Sequence, residues 1–221
     1  MGQDLETTVL RDPELMKTMA GFGIVFSDSP STVEEIEALI ARNGDEKTVD
    51  ANIKSLEELS KDEKPVAVQL IGNDPVTMKQ AVEIVEQHAP FIDMIDLNFG
   101  CPDGDVLGWK MGAYLVKHPE KISSLIQAAT SATNKPVTAK IRSGWDESSI
   151  NCIEVGKMIE DAGASAVALH ARTRKQVYEG KANWSLIQQL KETVNIPVIG
   201  NGDVSNGKLG KSLLTRTGCD M

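Results

Sequence analysis

Two spacings of apolar residues alternate along this chain. From residue 65 onward, runs of five to seven aliphatic and β-branched residues are each followed by a polar turn and a stretch whose apolar positions recur every three to four residues. The first spacing suits a buried parallel strand and the second an amphipathic helix, so the repeated pair predicts βα units around a parallel sheet. Strands are predicted at 65–71, 94–98, 136–142, 166–170 and 197–201. Three of them open with proline, at the strand position where a missing N–H costs least.

Helices are predicted at 75–87 with Asp74 as N-cap, 118–130, 149–162 and 184–193, and Gly163 and Asn134 stand where helices should end. Upstream, the pattern predicts a strand at 22–26 and helices at 31–42 and 48–60; downstream, a weak short helix at 208–215. That makes six strands, where a closed (β/α)₈ barrel has eight in about 250 residues. The expectation is an α/β fold of the (β/α)₈ TIM-barrel type, incomplete, with about six recognisable βα units and at least one unit missing or unrecognisable at each end. No linker, low-complexity segment or shift in hydrophobic composition divides residues 1–221, which read as a single domain.

Composition adds bounds rather than a function. The 221 residues are 41% hydrophobic and 25% charged, ordinary for a globular protein. Three widely spaced cysteines, Cys101, Cys152 and Cys219, fit neither a disulfide framework nor a zinc site, so a reducing setting and no metal are expected. No apolar run approaches the roughly 20 residues of a membrane span, and the N-terminus lacks the basic and apolar regions of a signal peptide. A cytoplasmic protein without a membrane partner is expected. Of the charged side chains, 15 acidic and 7 basic lie in residues 1–64, and 17 acidic and 16 basic in the rest. The net charge of −9 therefore belongs to the N-terminal third and argues against nonspecific affinity for nucleic acid. Arg172, Arg174, Lys175 and Lys181 form a local basic cluster, which in isolation reads as a solvated loop.

The candidate chemistry sits at strand ends. Each of the five strands predicted from residue 65 onward closes on a polar handle: Gln69, Asn98 with Cys101, Lys140 with Arg142, His170 with Arg172, and Asn201 with Asp203. In a parallel barrel these ends converge on one face, the face that carries active sites. Singly, each has a plain structural explanation: Lys140 could snorkel, His170 could be a core histidine and Asn201 could cap a turn. Asp96-Leu-Asn-Phe-Gly-Cys-Pro102 concentrates the signal, because Gly100 and Pro102 shape the backbone on either side of Cys101 and present its thiol. On this turn alone, a small hydrophobe at a strand end is an equal reading.

Six ordered motifs carry a resemblance: Asp96-Leu-Asn-Phe-Gly-Cys-Pro, Gly112-Ala-Tyr-Leu, Pro136-Val-Thr-Ala-Lys-Ile-Arg-Ser-Gly-Trp-Asp, Glu160-Asp-Ala-Gly-Ala, His170-Ala-Arg-Thr-Arg-Lys-Gln-Val-Tyr-Glu-Gly and Pro197-Val-Ile-Gly-Asn-Gly-Asp-Val. From about residue 65 to residue 220 the chain resembles the tRNA-dihydrouridine synthase family, flavin-dependent (β/α)₈ enzymes that reduce uridines in tRNA. The resemblance implies FMN as cofactor, NAD(P)H as electron donor and tRNA as partner. It implies that Cys101 is the general acid, protonating C5 of the uracil while reduced FMN delivers hydride to C6. An unperturbed thiol, with a pKa of about 8.5, is mostly protonated at neutral pH and suits that task.

The resemblance further places Gln69, Lys140 and His170 around the flavin ring, with Lys140 near the edge where negative charge gathers on reduction. It assigns Asn201, Gly202 and Asp203 to a flavin-binding turn, and makes Asn98 and Arg142 contacts to the uracil or the flavin. Arg172, Arg174 and Lys175 become candidate contacts to RNA phosphates. The family's first-strand motif is reduced to Met19-Ala-Gly-Phe22 at best, and its last strand and helical C-terminal domain are not found. Truncation at both ends and absence of the tRNA-binding helical domain are therefore expected. Two other readings stand beside this one: a flavin oxidoreductase acting on a free pyrimidine, similar to dihydroorotate dehydrogenases, and a non-catalytic barrel scaffold.

Overall fold

The computed structural model describes residues 65–221. The strand predicted at 22–26, the helices at 31–42 and 48–60 and the Met19–Phe22 segment lie outside the described residues. Within them, five strands form one sheet: β1 (Ala67–Leu70), β2 (Met94–Phe99), β3 (Val137–Arg142), β4 (Ala166–His170) and β5 (Val198–Asn201). Every neighbouring pair is parallel and the spatial order is the sequence order. A doubly wound sheet would reverse its order at a switch point, whereas a barrel wall advances one strand at a time. Among the described residues the fold is α/β with alternating βα units, five strands of the (β/α)₈ type.

Crossovers are made by α1 (Pro75–His88), α2 (Gly104–Gly108), α3 (Pro119–Thr130), α4 (Cys152–Asp161) and α5 (Trp184–Thr193), α6 (Gly207–Thr217) follows β5, and 3₁₀ segments lie at Gly112–Lys117 and Glu147–Ser149. Asp74 caps α1 by accepting from Thr77 N, as predicted. Alternation along the strands divides the sheet into two faces. Val68, Leu70, Ile95, Leu97, Phe99, Ala139, Ile141, Val167, Leu169 and Val198 pack against the helices in one continuous core with Val82, Ile122, Val155 and Ile187. Gln69, Asp96, Asn98, Thr138, Lys140, Arg142, His170 and Asn201 hold the opposite parity, on the face turned away from the helices.

Local expectations fail in four places. The short helix Gly104–Gly108 and the 3₁₀ segment Gly112–Lys117 are not among the predicted elements, because neither is long enough to show a helical period. The helix expected to start at residue 149 starts at Cys152, since Asp146 caps a separate 3₁₀ turn first. Asn134 does not end α3, whose C-cap is Ser131, whereas Gly163 does follow the Ala162 C-cap, with φ of 96°. Helix α6 is longer than the 208–215 expected, because Asn206 caps it by accepting from Leu209 N and Gly218 closes it in the left-handed conformation.

Candidate active site

The turn after β2 is built around one side chain. Asn98 Oδ1 accepts from Gly100 N at 3.0 Å and from Cys101 N at 2.9 Å, folding the backbone back over the strand end. The far side of the turn is held by Ala113 N, which donates to Cys101 O at 2.9 Å. That approach depends on Gly112: its φ is 56°, and a Cβ there would stand 2.8 Å from Cys101 O and 3.1 Å from Cys101 Cβ. The Cys101 thiol is partly exposed, whereas Cys152 and Cys219 are buried. Burial pushes the Cys152 thiol up to about 12 and also raises that of Cys219, so neither supplies thiolate near neutral pH.

Strand register brings the other predicted residues alongside. Asn98 pairs with Lys140, Arg142 with His170, and His170 with Asn201, while Gln69 pairs with Asp96. The sheet therefore lines up Gln69, Asn98, Lys140, Arg142, His170 and Asn201 at its C-terminal end, on one face. His170 is 8% exposed. Burial, then the charges of Arg142, Lys140 and Arg172, drive its pKa down to about 3 against the pull of Asp203. The imidazole is neutral at any working pH, and its Nε2, 3.4 Å from Arg172 Nη1, is placed to accept.

Two of the predicted cations lie inside the rim. Arg142 is 3% exposed; its Nε donates to Gly100 O at 2.7 Å and its Nη1 to Val177 O at 2.8 Å, tying the Cys101 turn to the loop after β4. Arg172 is 5% exposed, donates to Glu179 O and Gly180 O, and pairs with Asp203 Oδ1 at 2.5 Å. Asp203, at φ of 63°, also accepts from Ala182 N. Burial opposes its charge, but that N–H and the Arg172 guanidinium hold its carboxyl below the ordinary value. Beside it, Gly202 has φ of 117°, and a Cβ would meet Ala182 Cβ at 2.7 Å and His170 Cδ2 at 3.2 Å. Arg172 and Asp203 thus anchor the loop, while Lys175 is exposed and Arg174 lies over the Trp145 ring at 4.8 Å.

Three residues at this end were not singled out from the sequence. Asp96 and Thr138 occupy the same face one layer below, hydrogen-bonded to each other at 2.5 Å; the period of two places position 96 beside 98, so the signal was present. Tyr178 is 73% exposed, with its ring 6.2 Å from that of His170 and 5.8 Å from Arg142 Cζ. It stood within a quoted motif, but nothing in its spacing separates a rim aromatic from a loop one. A cleft of about 600 Å³ between loops 146–148 and 173–180 is lined by Asp146, Glu147, Glu179 and Lys175 among others, and not by Cys101, Lys140 or His170. Its acidic lining disfavours an anionic ligand.

The assembled end offers a partly exposed thiol on a braced turn, an ammonium, a neutral imidazole and amides, the donor set for binding a polar planar group and handing it a proton. The family model described as Dihydrouridine synthase matches residues 43–221. A probable tRNA-dihydrouridine synthase of Rhizobium leguminosarum bv. phaseoli is 40% identical over 157 residues, 71% of this chain and 49% of that protein. The tRNA-dihydrouridine synthase B of Vibrio vulnificus (strain CMCP6) is 40% identical over 154 residues, 70% of this chain and 47% of its own length. The chain spans about half the length of these relatives. Among solved structures, phosphonopyruvate hydrolase in complex with oxalate and Mg²⁺ superposes with a TM-score of 0.51 at 17% identity, over 75% of this chain and 55% of that one, a likeness of fold alone.

Proposed function

Because the chain belongs to the dihydrouridine synthase family, we propose that it carries the catalytic end of a flavin-dependent reductase that converts uridine in tRNA to dihydrouridine, with Cys101 as general acid. The observation that carries this reading is the convergence of the Cys101 turn with Lys140, His170 and Asn201 on one face of the sheet. The donor set suits FMN: an ammonium at Lys140, a neutral imidazole at His170, amides at Gln69 and Asn201, and a glycine at 202 where the backbone has no room for a side chain. When bound, FMN supplies the hydride for C6 of the uracil, drawn from NAD(P)H.

The chain's own residues then do the rest. Lys140 provides positive charge toward the ring. The Cys101 thiol donates its proton to C5, and Asn98 fixes where that proton is held. Arg142 keeps the turn and the loop after β4 together and faces Tyr178, so that an extruded base meets a braced rim. Lys175 is the exposed cation for RNA phosphate, with Arg174 beside it and Arg172 as the anchor beneath.

Titration of the purified protein with FMN, followed by flavin absorbance, tests the first half of this reading. Saturable binding that weakens in Lys140→Met supports it. No binding, or binding indifferent to Lys140, contradicts it.

A further inference from the structure

Beneath the Cys101 turn runs a chain of side-chain hydrogen bonds whose direction is fixed at both ends. Gly100 N and Cys101 N donate to Asn98 Oδ1. Asn98 Nδ2 donates to Gln69 Oε1 at 3.0 Å, and Gln69 Nε2 donates to Asp96 Oδ2 at 2.6 Å. The other Asp96 oxygen accepts from Thr138 Oγ1 at 2.5 Å. The register sets these side chains edge to edge, with Gln69, Asp96 and Thr138 in one row across three strands.

Donor and acceptor chemistry leaves one polarity. Backbone N–H groups can only donate, so Asn98 must turn its oxygen to the Cys101 turn and its NH₂ to Gln69. Gln69 must then offer its oxygen to Asn98 and its NH₂ to position 96. Only an acceptor satisfies position 96, and a carboxylate accepts with both oxygens, taking Gln69 on one side and Thr138 on the other. Burial pushes the Asp96 carboxyl above its ordinary value, although the Thr138 and Gln69 hydrogen bonds and the Lys140 charge pull it down. Keeping a carboxylate there costs stability, which core packing does not ask for: a small apolar side chain would fill the same row, as Ala166 does on β4 beside Thr138.

We propose that Asp96 is a positioning residue: through Gln69 and Asn98 its carboxylate fixes the backbone that presents the Cys101 thiol. The consequence for catalysis rests on the role given to Cys101 above; the positioning itself does not.

Reversing the relay tests it. In Asn98→Asp, the carboxylate at position 98 still accepts from the turn but also demands a donor from Gln69. If Gln69 turns to supply it, its oxygen faces Asp96, and two acceptors collide. In the double variant Asp96→Asn with Asn98→Asp, every link finds a partner again: the amide at 96 donates to Gln69, Gln69 donates to the carboxylate at 98, and the turn is still received. Asp96→Asn alone keeps an acceptor for Gln69, with the Thr138 hydroxyl rotating to accept.

The measurement is the rate at which iodoacetamide alkylates Cys101 in the full chain, read by peptide mass alongside the melting temperature, with buried Cys152 and Cys219 reporting any global opening. Asn98→Asp is expected to alkylate at Cys101 roughly tenfold faster and to melt lower, Asp96→Asn to stay within about twofold of wild type, and the double variant to recover both values. Should Asn98→Asp fail to fold, recovery of folded protein in the double variant is the same result. A wild-type alkylation rate in Asn98→Asp, or a double variant no better than that single one, overturns the proposal. Neither readout uses flavin or RNA, so a rescued relay in an inactive protein would sink the catalytic reading and leave this one standing.

Discussion

Asn98 Oδ1 stands 2.9 Å from Cys101 N and 3.0 Å from Gly100 N, so one side-chain oxygen holds both amides of the turn that bears the thiol. Removing that oxygen in Asn98→Ala leaves two backbone donors at a largely buried strand end. Each unsatisfied donor costs about 1–3 kcal/mol. The variant is expected to lose stability of that order in a denaturant titration, with an unchanged slope. A loss below about 0.5 kcal/mol would mean that water replaces the oxygen without penalty.

Gly112 braces the same turn from the opposite side. Gly112→Ala places a Cβ 2.8 Å from Cys101 O at a φ of 56°. The backbone term alone is about 1–2 kcal/mol, and the clash adds to it because the neighbour is backbone and cannot swing away. Its melting temperature should fall by several degrees, with Cys101 alkylation accelerated. Equal melting temperatures for the two proteins would show that the 3₁₀ segment is not packed on the turn as described.

His170 gives the protein a pH signature. Its pKa in the fold is about 3, below the ordinary 6.5, so the unfolded chain takes up a proton that the folded one refuses. The stability this contributes is fully present above pH 6.5 and is lost as pH falls toward 3, at up to about 1.4 kcal/mol per unit. Between pH 6.5 and 5, wild-type stability should decline more steeply than that of His170→Asn. Superimposable pH profiles would show that the imidazole is not held neutral by burial and by the Arg142, Lys140 and Arg172 charges.

Sequence reading reached the sheet and the polar ends of its strands for definite reasons. Val68, Leu70, Ile95 and Leu97 alternate with Gln69, Asp96 and Asn98, so the two faces of the sheet were written in a period of two. The polar strand ends were legible because a parallel barrel collects them. Arg142 and Arg172 were not legible as buried, since a guanidinium reveals its environment only through its partners. Those partners are the Gly100 carbonyl, carbonyls of loop residues 173–180 and the carboxylate of Asp203, 31 positions beyond Arg172. The brace at Gly112 was equally hidden, because a glycine needed for close approach looks in sequence like any other turn glycine. Asp96 had the right period, but an acid in an apolar run gives no sign of which amides it orders.

The most direct test of the central claim is formation of dihydrouridine in unmodified tRNA by the FMN-loaded protein with NAD(P)H, measured by nucleoside mass spectrometry for wild type and Cys101→Ala. The account predicts product with wild type and a loss of about 10²- to 10⁴-fold in Cys101→Ala, with flavin binding unaltered. Equal rates for the two proteins, or no product from a wild-type protein that binds and reduces its flavin, would contradict it.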